Sequence, residues 1–132
     1  MRRTGVLHAE LARHLSLLGH TDRFVIGDRG LPLPRGLPLI DLAVVPGVVS
    51  FSDVLGAVLE EVVIQAHAYA TEARGGPAEA LLTSRATELG AGEAVPHEDF
   101  KRLLRDERVV FAIRTGEETP YANVILEAGV PF

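Results

Sequence analysis

The stretch Leu18-Gly19-His20-Thr21-Asp22-Arg23-Phe24-Val25-Ile26-Gly27-Asp28 decides how this chain is read. Upstream of it, Leu7, Leu11, Leu15 and Leu18 recur at helical spacing and Gly19 stands as a stop. That spacing predicts a helix over about 8–18. Downstream, Phe24-Val25-Ile26 is a short β-prone run ending in Gly27-Asp28. Helix, polar connection and strand in so few residues are the units of an α/β fold. His20 falls on the connection, and Asp28 falls at the carboxyl end of the strand.

The remaining chain repeats that alternation. Arg29 to Pro38 holds three prolines and two glycines and reads as loop. Leu39 to Val45 is nearly all apolar, as expected of a strand covered on both faces. Pro46-Gly47 marks a turn, and Ser50-Phe51-Ser52-Asp53 places an acid three residues after a serine, a capping pattern that opens a helix to about Leu59. Val62 to Tyr69 is read as a strand from its β-branched start, Ala78 to Leu89 as an amphipathic helix, and His97 to Arg105 as a short helix with acids first and bases last. Val109 to Ile113 and Asn123 to Ala128 complete the strands, with a turn over Thr115 to Pro120 between them. The expectation is one α/β domain over 1–132 in three layers. Its central sheet, mostly parallel or mixed, is covered by helices on both faces.

Composition narrows the partners. A chain of 132 residues with 47% apolar residues suits one compact domain. The absence of cysteine removes disulfides and thiolate metal sites and fits a reducing, cytoplasmic setting. A formal net charge of −5 with scattered basic residues argues against a nucleic-acid partner. No apolar run approaches a membrane span, and Met1 to Leu7 lacks the apolar core of a signal peptide. A neutral or weakly charged small ligand is expected.

Several residues could carry chemistry, each with a plainer alternative. His20 is a proton carrier by type, but near a helix C-terminus it also suits the dipole. Asp28 sits where open α/β sheets place ligands, and equally where a turn uses Asp. Asp41 lies inside an apolar strand, where burial would demand a partner, so a backbone hydrogen bond is expected. His97 opens a helix directly after Pro96; it suits a hydroxyl ligand or an exposed helix start. Pro120-Tyr121-Ala122-Asn123 combines an aromatic face with amide and hydroxyl groups, as a sugar requires, yet such a turn needs no ligand. His8, His14 and His20 recur every six residues, which does not place them on one helical face, and no metal site is expected.

Taken as an ordered set, Leu18-Gly19-His20-Thr21-Asp22, Gly27-Asp28-Arg29-Gly30-Leu31-Pro32, Ile40-Asp41-Leu42-Ala43 and Pro96-His97-Glu98-Asp99-Phe100-Lys101 resemble the D-ribose pyranase family. So does the ending Arg114-Thr115-Gly116-Glu117, Pro120-Tyr121-Ala122-Asn123-Val124-Ile125-Leu126 and Ala128-Gly129-Val130. The resemblance runs from end to end. It implies interconversion of the pyranose and furanose forms of D-ribose with exchange of anomers. His20 is then the catalytic proton donor. Asp28, His97, Tyr121, Ala122 and Asn123 are sugar-binding, Ala122 through its backbone. It also implies a ring-shaped homo-oligomer, commonly decameric, with sites at subunit interfaces and neither cofactor nor metal. Phe51, Val109 and Phe132 are the apolar residues expected at such interfaces. Arg29 and Glu118 stand where the family usually has small or uncharged residues, which leaves the sugar open. The competing readings are an L-fucose mutarotase and a non-catalytic sugar-binding ring.

Overall fold

A computed structural model describes residues 1–132. Helix α1 spans Ala9–Ser16, β1 Arg23–Gly27, β2 Leu39–Asp41, α2 Phe51–Leu59 and β3 Ile64–Ala70. Helices α3 (Pro77–Ser84) and α4 (Ala86–Leu89), strand β4 (Ala91–Val95), helix α5 (His97–Leu103) and strands β5 (Val109–Arg114) and β6 (Val124–Ala128) follow. The serine cap is as expected: Ser50 Oγ accepts the Asp53 N–H at 3.1 Å. At α1 the cap is His8, whose Nδ1 accepts the Leu11 N–H at 3.2 Å.

The six strands form one mixed sheet in the order β2-β5-β1-β6-β3-β4. Strands β1, β2 and β5 run parallel to one another, β3 runs parallel to β4, and β6 is antiparallel to both β1 and β3. Every strand except β6 therefore points its carboxyl end to the same edge, where β6 begins. The period-2 alternation assigns side chains to two cores. Phe24 and Ile26, Phe111 and Ile113, and Val124 and Leu126 face α1, α2, α3 and α4 in a large cluster. Val25, Ala112 and Ile125 face α5, packing against Phe100 and Leu104 in a small one. The expected three layers are present, with unequal covers.

The structure departs from the expected pattern in five places. Leu39 to Val45 is not a strand covered on both faces: β2 is a three-residue edge strand, and Val44 and Val45 are exposed. Asp41 is accordingly not buried; it pairs with Arg114 on β5 and accepts the Ala43 N–H at 3.2 Å. Ala78 to Leu89 is broken at Arg85 into two helices. Strand β4, Ala-Gly-Glu-Ala-Val, was not foreseen, because a weakly β-prone run at a sheet edge is held by its pairing with β3. Of the apolar residues expected at interfaces, Phe51 and Val109 are buried in the chain's own core, while Phe132 is fully exposed.

Candidate active site

The carboxyl edge of the sheet gathers Asp28 after β1, Thr115 to Glu118 after β5, His97 after β4 and Tyr121 to Asn123 before β6. This is the edge at which open α/β sheets bind ligands. Asn123 is buried, and its side chain makes two bonds to one residue. Its Oδ1 accepts the Asp28 N–H at 2.7 Å, and its Nδ2 donates to Asp28 Oδ2 at 2.9 Å. Gly27 makes room for this exchange. A Cβ there would lie 3.0 Å from Asn123 Oδ1 and 2.7 Å from a Leu31 methyl carbon. The other Asp28 oxygen, Oδ1, accepts the Gly30 N–H at 2.8 Å. Asp28 is thus fixed by Gly30, two residues on, and by Asn123, directly before β6.

Tyr121 takes a positive φ of 62° and is partly exposed, which turns its ring outward from the buried Ala122 and Asn123. Such a backbone in a non-glycine residue costs on the order of 1 kcal/mol or more and tends to mark functional sites. Its ring meets His97 edge-on with centroids 5.2 Å apart. The His97 ring also stacks on Phe100 at 6.2 Å, and its backbone N–H donates to Glu72 Oε2 at 2.9 Å. The His97 Nδ1 is shielded from solvent without a partner in the chain. A buried polar atom of that kind calls for an explanation, and a ligand hydroxyl supplies one.

Two further features went unforeseen. Glu117 accepts the backbone N–H groups of Thr119 at 3.0 Å, Glu118 at 3.1 Å and Phe51 at 3.3 Å. Burial opposes its ionisation, but the Thr119 bonds, with those of Phe51 and Glu118, hold its pKa below the usual carboxylate value. The sequence marks it only as the end of the Arg114–Glu117 motif and gives it no role, since its donors come from α2 and its own turn. Arg29 and Glu118, the two departures from the family pattern, are bonded to each other at 2.7 Å. They line a shallow pocket of about 210 Å³ with Asp28, Gly30, Glu117 and Pro120.

His20 is elsewhere. It stands in the turn Gly19–Asp22 before β1, at the opposite edge of the sheet from Asp28. The five residues of β1 separate the two by about 17 Å of strand. His20 is exposed, and its Nε2 lies 3.0 Å from Gln65 Oε1. Gln65 Nε2 in turn donates to Glu127 Oε1 at 2.7 Å, and Glu127 Oε2 accepts from Arg23 at 2.6 Å. Within one chain, Asp28, His97, Tyr121, Ala122 and Asn123 come together and His20 does not join them. His8 caps α1, His14 bonds the Glu10 carbonyl at 2.9 Å, and no three acidic or imidazole side chains converge as metal ligands.

Known proteins are similar to this chain in sequence and fold. A family model described as the RbsD / FucU transport protein family matches residues 1–131. A protein of Paracidovorax citrulli named D-ribose pyranase is 52% identical over the full length of both chains, and one of the same name from Cutibacterium acnes is 45% identical over the same extent. The structure of Bacillus subtilis RbsD complexed with D-ribose superposes with a TM-score of 0.92 at 41% identity, covering all of both chains. The fucose mutarotase of Streptococcus pneumoniae, solved with L-fucose, shares the fold at a TM-score of 0.73 and 23% identity over 93% of each chain.

Proposed function

The chain belongs to the RbsD / FucU transport protein family, and we propose that it interconverts the pyranose and furanose rings of D-ribose, exchanging anomers as it does so. The observation that carries this reading is the Asp28–Asn123–Tyr121–His97 cluster in a chain that matches D-ribose pyranases along its whole length. A sugar offers C–H faces and adjacent hydroxyls. Tyr121 presents an aromatic ring to the former, while Asp28, Asn123 and the unpartnered His97 Nδ1 suit the latter.

Ring opening removes the proton of the anomeric hydroxyl, whose oxygen becomes the carbonyl. The bond from the anomeric carbon to the ring oxygen breaks, and that oxygen keeps the electron pair and takes a proton. Reclosure through the neighbouring hydroxyl gives the furanose, and closure on the other carbonyl face gives the other anomer. Protons balance, so two groups that give and take them suffice. His20 is the principal acid/base in this reading, and such transfers contribute about 10²–10⁴-fold. Asp28, His97, Tyr121, the Ala122 backbone and Asn123 hold the sugar, with His97 as the second proton carrier.

Because β1 separates His20 from Asp28, the His20 that serves a given sugar belongs to a neighbouring copy of the chain. The working unit is therefore a ring of identical subunits, ten in our reading, with each site completed across an interface. A cytoplasmic location is part of the same proposal. Saturation-transfer NMR on D-ribose, D-allose and L-fucose tests the function. Exchange of D-ribose forms faster than in buffer is expected. Acceleration of L-fucose alone, or sugar binding with no gain in exchange, would overturn the proposal.

A further inference from the structure

At the amino edge of β1 lies a chain of polar groups that the sugar cluster does not use. Glu127 is largely buried at the end of β6 and receives the Arg23 guanidinium and the Gln65 amide. The Gln65 bond, with Arg23 adding to it against the cost of burial, keeps its pKa below the ordinary carboxylate value. An ionised carboxylate only accepts hydrogen bonds. The Gln65 NH₂ must therefore face Glu127, which leaves the Gln65 carbonyl oxygen facing His20 Nε2 at 3.0 Å. An amide oxygen also only accepts, so Nε2 carries a proton and the lone pair of neutral His20 sits on Nδ1.

Backbone geometry supports a built arrangement. The register of β3 against β6 slips between Ile64 and Ala66, so Gln65 is the bulged residue of β3. Bulges re-aim side chains and cluster next to active sites. On the other side, Thr21 holds a φ of 70°, uncommon for a β-branched residue, in the turn that presents His20.

From this geometry we infer that Gln65 is a positioning residue: it fixes His20 in the Nε2-protonated tautomer, so that Nδ1 is the atom that exchanges protons with the sugar. The inference rests on His20 being the acid/base of the proposed reaction. It adds which nitrogen acts and what sets it. In the reaction, Nδ1 of neutral His20 takes the anomeric proton. On reclosure the protonated imidazole returns that proton from Nδ1 to the carbonyl oxygen as it becomes the new anomeric hydroxyl, Nε2–H staying on Gln65 throughout.

The test has two arms on the full-length protein. In the first, ¹⁵N-labelled histidine in the ligand-free wild type reports the tautomer of neutral His20, assigned by loss of its signals in His20→Ala. Protonated Nε2 and bare Nδ1 are expected, and the reverse tautomer would overturn the inference whatever sugar the enzyme uses. In the second, Gln65→Met removes the acceptor while keeping the length of the side chain. Gln65→Met should mix the tautomers and lower kcat about tenfold, with KM within about twofold of wild type. A Gln65→Met protein with wild-type kcat and an unchanged tautomer refutes it. A wild type that leaves D-ribose unaltered sinks the proposed function instead, and the tautomer arm still reads on the His20–Gln65 pair.

Discussion

Asn123 and Asp28 hold each other by a two-way exchange: the amide oxygen takes the Asp28 N–H at 2.7 Å, and the amide nitrogen donates to the carboxylate at 2.9 Å. A side-chain amide carries both the acceptor and the donor that this exchange needs. Asn123→Leu keeps the volume and removes both partners. It is expected to lower stability by about 1–3 kcal/mol through the part-buried Asp28 N–H left unpaired. Ribose exchange should fall to near the buffer rate. Thermal melting with saturation-transfer NMR checks both outcomes, and unchanged exchange would show that Asp28 needs no such support.

Gly27 stands under the same pair. Alanine there would press on Asn123 Oδ1 and a Leu31 methyl, at 3.0 Å and 2.7 Å. Gly27→Ala should destabilise by about 1–3 kcal/mol, as overpacking commonly does, and weaken sugar binding. A melting temperature equal to wild type would mean that Leu31 simply yields.

Arg29 and Glu118 form an ion pair with both side chains half exposed, on the rim of the Asp28 pocket. Exposed pairs are worth about 0–1 kcal/mol. Replacing both by serine should leave the melting temperature nearly unchanged and raise KM for D-ribose at most about fivefold, with kcat retained. A lost kcat would place one of the two in the chemistry itself.

Acid stability follows from the opposite edge of the sheet. Arg108, by side-chain and backbone bonds, holds Asp106 down from 3.8 to about 2, and Glu127 lies below its ordinary 4.5 chiefly through Gln65. A carboxyl depressed on folding adds stability that is complete above its unfolded value and lost as pH falls through the folded one. Melting temperature should therefore decline from about pH 4.5 towards pH 2, and Asp106→Asn should flatten the lower part of that decline. A flat profile in the wild type contradicts the assignment.

Much of this fold was legible in the chain. Leu11 and Leu15 of α1, the Ser50 cap and the strands at Phe24, Phe111 and Val124 follow from helical spacing, capping and β-prone runs, while Leu7 and Leu18 of the same leucine series fall outside the helix. What was hidden depends on tertiary partners. Strand β4 exists because β3 pairs with it, and most of the Leu39 to Val45 run, buried Ile40 apart, is open to solvent because it forms the sheet's other edge. At the site, residue types and the ordered family motifs pointed to Asp28, His97, Tyr121, Ala122 and Asn123, which the fold then brought together. No role for Glu117, Gln65 or Glu127 was legible, since their partners lie far away in sequence or belong to the backbone. The sequence already sets His20 before a strand and Asp28 at its carboxyl end, and the straight β1 between them puts the two at opposite edges of the sheet.

Complementation between two inactive variants tests that separation most directly. His20→Ala and Asp28→Asn are each expected to abolish D-ribose exchange. Co-assembled from equal amounts, they should recover about a quarter of wild-type exchange by saturation-transfer NMR, because a quarter of randomly mixed interfaces join an intact His20 to an intact Asp28. Mixed assemblies as inactive as either variant alone would contradict a site shared between subunits.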